Sequence, residues 1–578
     1  MKGRIGVIIM KQDLFAEGRQ GWKERAKNPF FAVQMSEARE AAERYRSEVL
    51  PACSYSLWKL FHETGSRTEY EAEDFAKRGR LNAFALLVLS GGAQEDLDAL
   101  ENTIWAICDE CTWALPAHVP AEMEVEKWFA FIDLFAAETG FALCEMASLL
   151  SDKLSETVQA RIRCEVRRRI LEPYMQSKEN PFWWESVESN WAAVCAGSVG
   201  AAFLYQAEED EIAKVLPRIE QTMQCFIKSF SDDGVCLEGY GYWQYGFGFF
   251  VYFAELLRQY TNGKQDWFTW PKVEKIAEFQ QNAILNDGFA ISFSDGQVTY
   301  THNIGLSQFL HRRFPMVTVP EAKYNAHFDS DHCHRWSHFI RNFAWAQEEC
   351  GLTDEKKERT TYLPGAGWYI RETGKYSLAA KAGHNAEQHN HNDVGSFLLC
   401  AAGQPILCDL GCGEYTKDYF GEKRYTFLVN GSQGHSVPVV AGEYQKLGRE
   451  YCGTVTEAGD NVFELEFSKA YGLDALQSLV RRFSFNLGSV EISDRFVLDG
   501  VQTDIMERFI ATLRPEQADG MVTIGNAKLV YDAAVWSCEI GQEEYNLHDG
   551  AKATAYLIDF HLKQTAETVD AVFFITVE

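Results

Sequence analysis

The sequence predicts two parts, an N-terminal helical (α/α) toroid over residues 1–350 and a C-terminal antiparallel β-sandwich over residues 351–578. Three observations predict this α+β organisation. Apolar residues recur at helical spacing through the first part. One stretch there, from Trp191 to Tyr205, is apolar or small on nearly every face. Near residue 350 the hydrophobic period falls from helical to two.

Taken in order, residues 1 to about 345 read as helix after helix. From Ala213 to Phe230, Leu216, Ile219, Met223, Phe226, Ile227 and Phe230 follow one face. The Trp191–Tyr205 stretch must be surrounded by protein, since a helix without a polar face has no side to give to water. Amphipathic outer helices alternating with apolar inner ones predict a double-layered toroid. A solenoid is the rival, but no repeat of fixed period is present. Leu363-Pro364-Gly365-Ala366-Gly367 is a breaker cluster at the start of the second part. Beyond it Phe463, Leu465 and Phe467 alternate with glutamates, and Val490, Ile492, Phe496 and Leu498 with polar residues. Asn486-Leu487-Gly488-Ser489 reads as the hairpin turn between two such strands.

A chain of 578 residues exceeds one compact core. The formal net charge of -28 argues against nucleic acid or an anionic membrane surface as a partner. An anionic substrate then needs a locally basic or polar cleft. No apolar run reaches the roughly 18 residues that span a bilayer. Met1 to Lys11 is too short an apolar stretch for a signal peptide, so the expected location is cytoplasmic. The 15 scattered cysteines read as reduced thiols. Cys400, Cys408 and Cys412 read as small hydrophobes rather than ligands.

Chemistry concentrates from His384 to Asp409. His384, His389 and His391 fall within eight residues of a chain that has 14 histidines in all. If this stretch is a strand, His389, His391 and Asp393 share one face, with Asn390 and Asn392 on the other. Asp409 arrives on the next apparent strand, after the turn Ala402-Gly403-Gln404-Pro405, and His435 follows. Imidazole with carboxylate suits zinc or a similar divalent metal. The alternative is a polar turn with incidental histidines. In the helical part, Cys108 to His118 carries Trp113 and His118 beside a helix breaker, as a packed loop or a sugar-binding wall. Ser189-Asn190-Trp191 opens the buried helix; Asn190 is either an N-cap or a carboxamide aimed at a substrate carboxylate. Asp232 to Gly246 is a Gly-bearing turn entering an aromatic helix, read either as core packing or as presenting a substrate-facing tyrosine.

Together these stretches resemble the heparinase II/III superfamily of polysaccharide lyases, which includes the oligoalginate lyases. The resemblance covers most of the chain. It rests on His389-Asn390-His391-Asn392-Asp393-Val394-Gly395-Ser396-Phe397 followed by Asp409-Leu410-Gly411, on Glu238-Gly239-x-x-Tyr242-Trp243-x-Tyr245-Gly246, and on Asn190. It implies that Tyr242 is the catalytic tyrosine, that Asn190 binds the uronate carboxylate and that His389 is a second base. It implies His391, Asp409 and His435 as ligands of one divalent metal, zinc first, manganese or calcium as alternatives; a structural role is favoured because elimination needs no activated water. Many relatives follow the asparagine with a histidine or a second asparagine; this chain has Trp191, so His118 or an arginine is expected to complete carboxylate neutralisation. Trp191, Glu238 and Tyr245 join His118 as substrate-binding candidates. Tyr419 is the choice for a further cleft tyrosine, with Tyr415 and Tyr425 as rivals.

The implied reaction is β-elimination at a uronic acid in an acidic oligosaccharide or polysaccharide. Glycosaminoglycan is favoured and alginate is the second choice, with homo-oligomerisation left open. One rival is an α/α-toroid glycoside hydrolase, which needs two carboxyl groups across the scissile bond; Asp233 and Glu238 would be offered. The other is a non-catalytic acidic-sugar-binding protein, which would need Tyr242 only for stacking.

Overall fold

The computed structural model describes residues 21–348, 356, 358–500 and 504–578. The N-terminal stretch from Met1 to Lys11, and the expected domain boundary at 350/351, lie outside the described residues. The chain divides into two compact units. One comprises residues 1–229, 244–274 and 301–353; the other comprises residues 230–243, 275–300 and 354–578. The second unit therefore takes in two segments that the sequence reading assigned to the helical domain.

The first unit is helical. Its two most apolar helices, Leu134–Leu149 and Asn190–Gln206, are buried along their whole length except at Trp191. Asn190–Gln206 packs on Leu134–Leu149, on Glu209–Lys228 and on Gly248–Tyr260. Small residues make this close packing feasible: a Cβ added at Gly197 would lie 3.0 Å from the Phe249 carbonyl oxygen. Glu209–Lys228 is amphipathic as expected, burying Ile212, Val215, Ile219, Met223, Phe226 and Ile227. Among the described residues no helix is long and apolar enough to cross a membrane.

The second unit is built on antiparallel sheets. Among the described residues the largest has eight strands, in the order Glu516–Ala518, Met521–Ile524, Ala527–Tyr531, Thr568–Val577, Ser489–Leu498, Leu476–Asn486, Val462–Glu466 and Thr454–Gly459. A five-stranded sheet runs Arg359–Leu363, Trp368–Glu372, Tyr376–Lys381, Phe397–Ala401, Gln404–Leu407. A four-stranded sheet contains Trp536–Asn546, Lys552–Leu562, Ile505–Ala511 and Val439–Val440. Aromatic rings join them: Phe397 meets Phe483 edge-on at 5.2 Å, and Phe509 meets Phe573 at 5.0 Å. These are the inward faces of a sandwich, filled by alternate residues of each strand. The predicted hairpin forms, with Asn486 opposite Ser489. The breaker cluster is the turn between Arg359–Leu363 and Trp368–Glu372, inside this unit.

A cluster of three charged residues interrupts the apolar filling of these faces. Asp494 lies on the buried face of Ser489–Leu498, between Ile492 and Phe496. Its carboxylate accepts from Arg481 Nε at 2.8 Å, and Glu507 stands 3.2 Å from the same guanidinium. Arg481 also donates to the carbonyl oxygens of Gly395 and Ser436, at 2.8 and 2.7 Å. A core ion cluster thus anchors the loops that carry the histidines. Removing one member strands a buried charge, which costs about 3–5 kcal/mol. Arg481→Ala should lower the melting temperature accordingly, measured by calorimetry; a variant as stable as the parent would contradict an anchoring role.

Candidate active site and metal centre

The expected strand at 389–393 does not form. Residues 386–396 make a loop between the short strand His384–Asn385 and Phe397–Ala401. Two asparagines, an ion pair between Asp393 and Lys381 and a glycine hold it where strand pairing cannot. The Asn392 N–H donates to Asn430 O at 2.9 Å, and its carbonyl accepts from Ser432 Oγ at 2.6 Å. Asn390 Nδ2 reaches Tyr425 Oη at 3.3 Å. Asp393 pairs with Lys381 at 2.8 Å, so it is an internal counter-ion and not part of a ligand face. Gly395 turns the chain out at φ +89°. His389 itself sits at φ 53°, a costly conformation for a residue with a Cβ and one that clusters at functional sites.

The two histidines meet on a residue that the sequence reading missed. Asp295, fully buried, faces His389 Nδ1 with one oxygen and His391 Nε2 at 3.0 Å with the other. Tyr415 and Tyr419 donate to it at 3.0 and 2.5 Å, and Arg424 Nη2 lies 3.2 and 3.3 Å from its two oxygens. Burial alone would raise the Asp295 pKa; the charges and hydrogen bonds of His389, His391 and Arg424 outweigh it and hold the carboxyl well below its ordinary range. Ser294-Asp295-Gly296 reads in sequence as an ordinary turn, and nothing nearby marks it. The segment is held by close backbone contact: Cys412 N donates to Gly296 O at 2.9 Å, and a Cβ at Gly411 would stand 2.1 Å from that same oxygen. This explains the glycine of Asp409-Leu410-Gly411.

Tyr242 belongs to the same cluster. Its ring packs against that of His389, tilted by 31° with centroids 4.3 Å apart, and its hydroxyl is 2.6 Å from that of Tyr415. Glu238 Oε2 lies 3.5 Å from His389 Nε2. Tyr242 and His389 are partly open to solvent. Burial, then the Asp295 charge, pushes the Tyr242 phenol well above its usual value. For His389, burial would lower the pKa, but Asp295 and then Glu238 raise it. Tyr419 is not at an open surface. It is fully buried, accepting from Asn430 Nδ2 at 2.9 Å while donating to Asp295. Its rival Tyr415 is the partly exposed tyrosine beside Tyr242, and Tyr425 braces Asn390.

His391, Asp409 and His435 are all buried and offer ligand atoms within 4.8 Å of one another. Their hydrogen bonds specify which nitrogens are bare. His391 Nε2 faces Asp295, and its Nδ1 is buried with no hydrogen-bond partner. His435 Nε2 lies 3.1 Å from the Val429 carbonyl and so carries a hydrogen, while Nδ1 lies 2.9 Å from Asp409 Oδ2. In neutral His435 that places a lone pair against a carboxylate oxygen, which a cation between them would relieve. Two imidazoles and one carboxylate, with a second carboxylate behind one imidazole, is a donor set that fits zinc. Cys400, Cys408 and Cys412 are buried and lie outside this group.

The remaining candidates are in the first unit. Asn190 is the first helical residue after the N-cap Ser189, and it abuts Gly246. Trp191 sits against Trp183 at 4.7 Å and His118 at 4.9 Å. His118 Nδ1 lies 2.7 Å from buried Asp133, which fixes the ring. Tyr245 donates to Glu138, under Arg335, whose guanidinium lies 4.1 Å from the tyrosine ring.

Residues 355–511 match the family model for the heparinase II/III-like C-terminal domain. This part of the chain is similar to the heparinase II/III-like C-terminal domain. The resemblance drawn from His389 to Gly411 is thereby borne out. No curated protein matches the chain by sequence. Solved structures do match by fold. Heparinase III aligns over 95% of this chain and 86% of its own, with a TM-score of 0.65 and 14% identity. Heparan sulfate lyase HepC from Pedobacter heparinus aligns over 95% and 84%, with a TM-score of 0.56 and 15% identity. Chondroitin AC lyase of Streptomyces coelicolor A3, in complex with chondroitin sulphate, aligns over 96% and 82%, with a TM-score of 0.53 and 11% identity. Identities this low bear on the fold, which is the helical region followed by antiparallel sheets expected above.

Proposed function

We propose that this protein is a polysaccharide lyase that cleaves uronic-acid-containing glycans by β-elimination, leaving unsaturated uronate ends. The observation that carries the reading is the pairing of Tyr242 with His389, in ring contact at 4.3 Å and backed by buried Asp295. A phenol and an imidazole in contact are an acid and a base ready for one substrate. The solved relatives named as heparan sulfate and chondroitin lyases support the same class. Glycosaminoglycans are the favoured substrates and alginate the second choice.

The C5 proton of a uronate becomes acidic when its carboxylate is neutralised. Asn190 is assigned that task, with donors that stabilise the enolate-like intermediate; His118, Trp191 and Tyr245 are assigned to the sugar ring. Tyr242 is kept neutral by burial and by the Asp295 charge, so its natural role is the acid that protonates the departing O4. Acting as base as well, on the epimer whose C5 proton it faces, it must pass the proton in a concerted step. His389 is the base for the other epimer, taking the C5 proton at Nε2. A hydrolase reading is less well supported, because the carboxylate of Asp233 is engaged by Ser231 and by the Gly365 N–H at 2.9 Å. A binding protein would not need a phenol, an imidazole and a buried carboxylate in one cluster.

His391 Nδ1, Asp409 and His435 Nδ1 are assigned to one divalent metal, zinc by donor type. When bound it supplies a fixed charge that locks three loop residues together. It is structural in this reading, since elimination needs no activated water.

Two outcomes test the proposal. On a substrate that the wild type converts to ultraviolet-absorbing ends, Tyr242→Phe should lose about 10²–10⁴-fold in rate with little change in binding. His389→Ala should be severe on one C5 epimer, glucuronate against iduronate or mannuronate against guluronate, and mild on the other. Full turnover by Tyr242→Phe would refute the mechanism, and equal losses on both epimers would refute the division of labour. For the metal, elemental analysis should find about one divalent ion per chain, lost in His391→Ala with a fall in melting temperature. A metal-free, fully active wild type would reject the site.

A further inference from the structure

Asp295 touches both the proposed base and a proposed metal ligand, and the geometry divides its two oxygens between them. Oδ2 faces His389 Nδ1, and Oδ1 faces His391 Nε2 at 3.0 Å. A carboxylate that only accepts requires a hydrogen on each of those nitrogens. The consequence is opposite tautomers on two histidines only two residues apart. His389 carries its hydrogen on Nδ1 and offers Nε2 at the partly open side, facing Glu238. His391 carries its hydrogen on Nε2 and offers Nδ1 to Asp409 and His435. The remaining donors, Tyr415, Tyr419 and Arg424, fix the carboxylate so that neither oxygen can turn to another partner. The backbone is left-handed at His389 itself, φ 53°, and at Ser294, the residue before Asp295, φ 60°. Conformations of that kind persist only where surrounding contacts impose them.

We propose that Asp295 is a positioning residue that couples the metal centre to the base, setting the tautomer and orientation of His389 and His391 together. The proposal rests on the lyase reading for the role of His389, and on the donor-set argument for the role of His391. Ordering of the His391 side by a bound ion then holds the carboxylate that orients the base. A metal called structural would in this way govern kcat without touching substrate.

The test uses full-length holoenzyme and the near-isosteric Asp295→Asn. A ligand histidine that loses its outer carboxylate costs about 10–100-fold in metal affinity or activity. Asp295→Asn should therefore bind zinc about 10–100-fold more weakly, read by competition with a chromophoric chelator. Its kcat should fall on the epimer that depends on His389, with KM unchanged. In the His389→Ala background the same substitution should cost no further kcat, because the group it acts through is gone. Additive losses, or unchanged zinc affinity, would overturn the coupling. If Asp295→Asn fails to fold, wild type stripped of metal by a chelator serves instead: its kcat should fall, while the residual turnover of His389→Ala should not. Equal falls in both would overturn the proposal. A wild type that forms no unsaturated product from any uronate glycan would sink the lyase reading instead, and zinc affinity in Asp295→Asn would still decide the metal half.

Discussion

A fully buried carboxylate without donors would cost several kcal/mol, and the second unit is arranged so that Asp295 does not lack them. Its partners come from three places in the sequence: the 389–391 loop, the tyrosines at 415 and 419, and Arg424. None of these segments is in a sheet. The sandwich supplies a rigid frame, and Arg481 ties its core to Gly395 and Ser436, next to the histidine-bearing loops. Satisfying one charge thus fixes the relative positions of two phenols, two imidazoles and a guanidinium.

That arrangement separates two kinds of histidine chemistry within a few residues. His435 and His391 are fully buried and face Asp409. His389 keeps about a fifth of its side chain exposed, at 21%. The net charge of -28 makes an acidic glycan an unexpected substrate. Arg424 offers little help, being committed to Asp295. Neutral hydrogen-bond donors, Asn190 foremost, are therefore the groups asked to handle the uronate carboxylate in this account.

Periodicity made the architecture legible. The apolar helix after Asn190, the amphipathic one through Met223 and the hairpin at Asn486–Ser489 follow from local pattern alone. The family resemblance supplied the histidines, Asp409 and Tyr242 as a set. What local pattern could not give was conformation imposed by distant contacts. A His-x-His-x-Asp run looks like an alternating strand, yet the Asn430 carbonyl and Ser432 hold it as a loop, and Lys381 takes Asp393 out of any ligand face. Asp295 lies 94 residues before His389 in an unremarkable Ser-Asp-Gly turn, and its role exists only once the chain has folded. Tyr419 and Tyr415 are indistinguishable in sequence; burial against Asn430 in one case and contact with Tyr242 in the other tell them apart.

The central claim is that a C–O bond is broken by elimination and not by water. The most direct measurement is cleavage of a uronate oligosaccharide in water enriched in heavy oxygen, with the products weighed by mass spectrometry. Elimination predicts product masses that sum to the mass of the substrate, one unsaturated end per cut and no heavy oxygen incorporated. Products heavier in sum by one water, carrying the label at the new end, would contradict the account and make the protein a hydrolase.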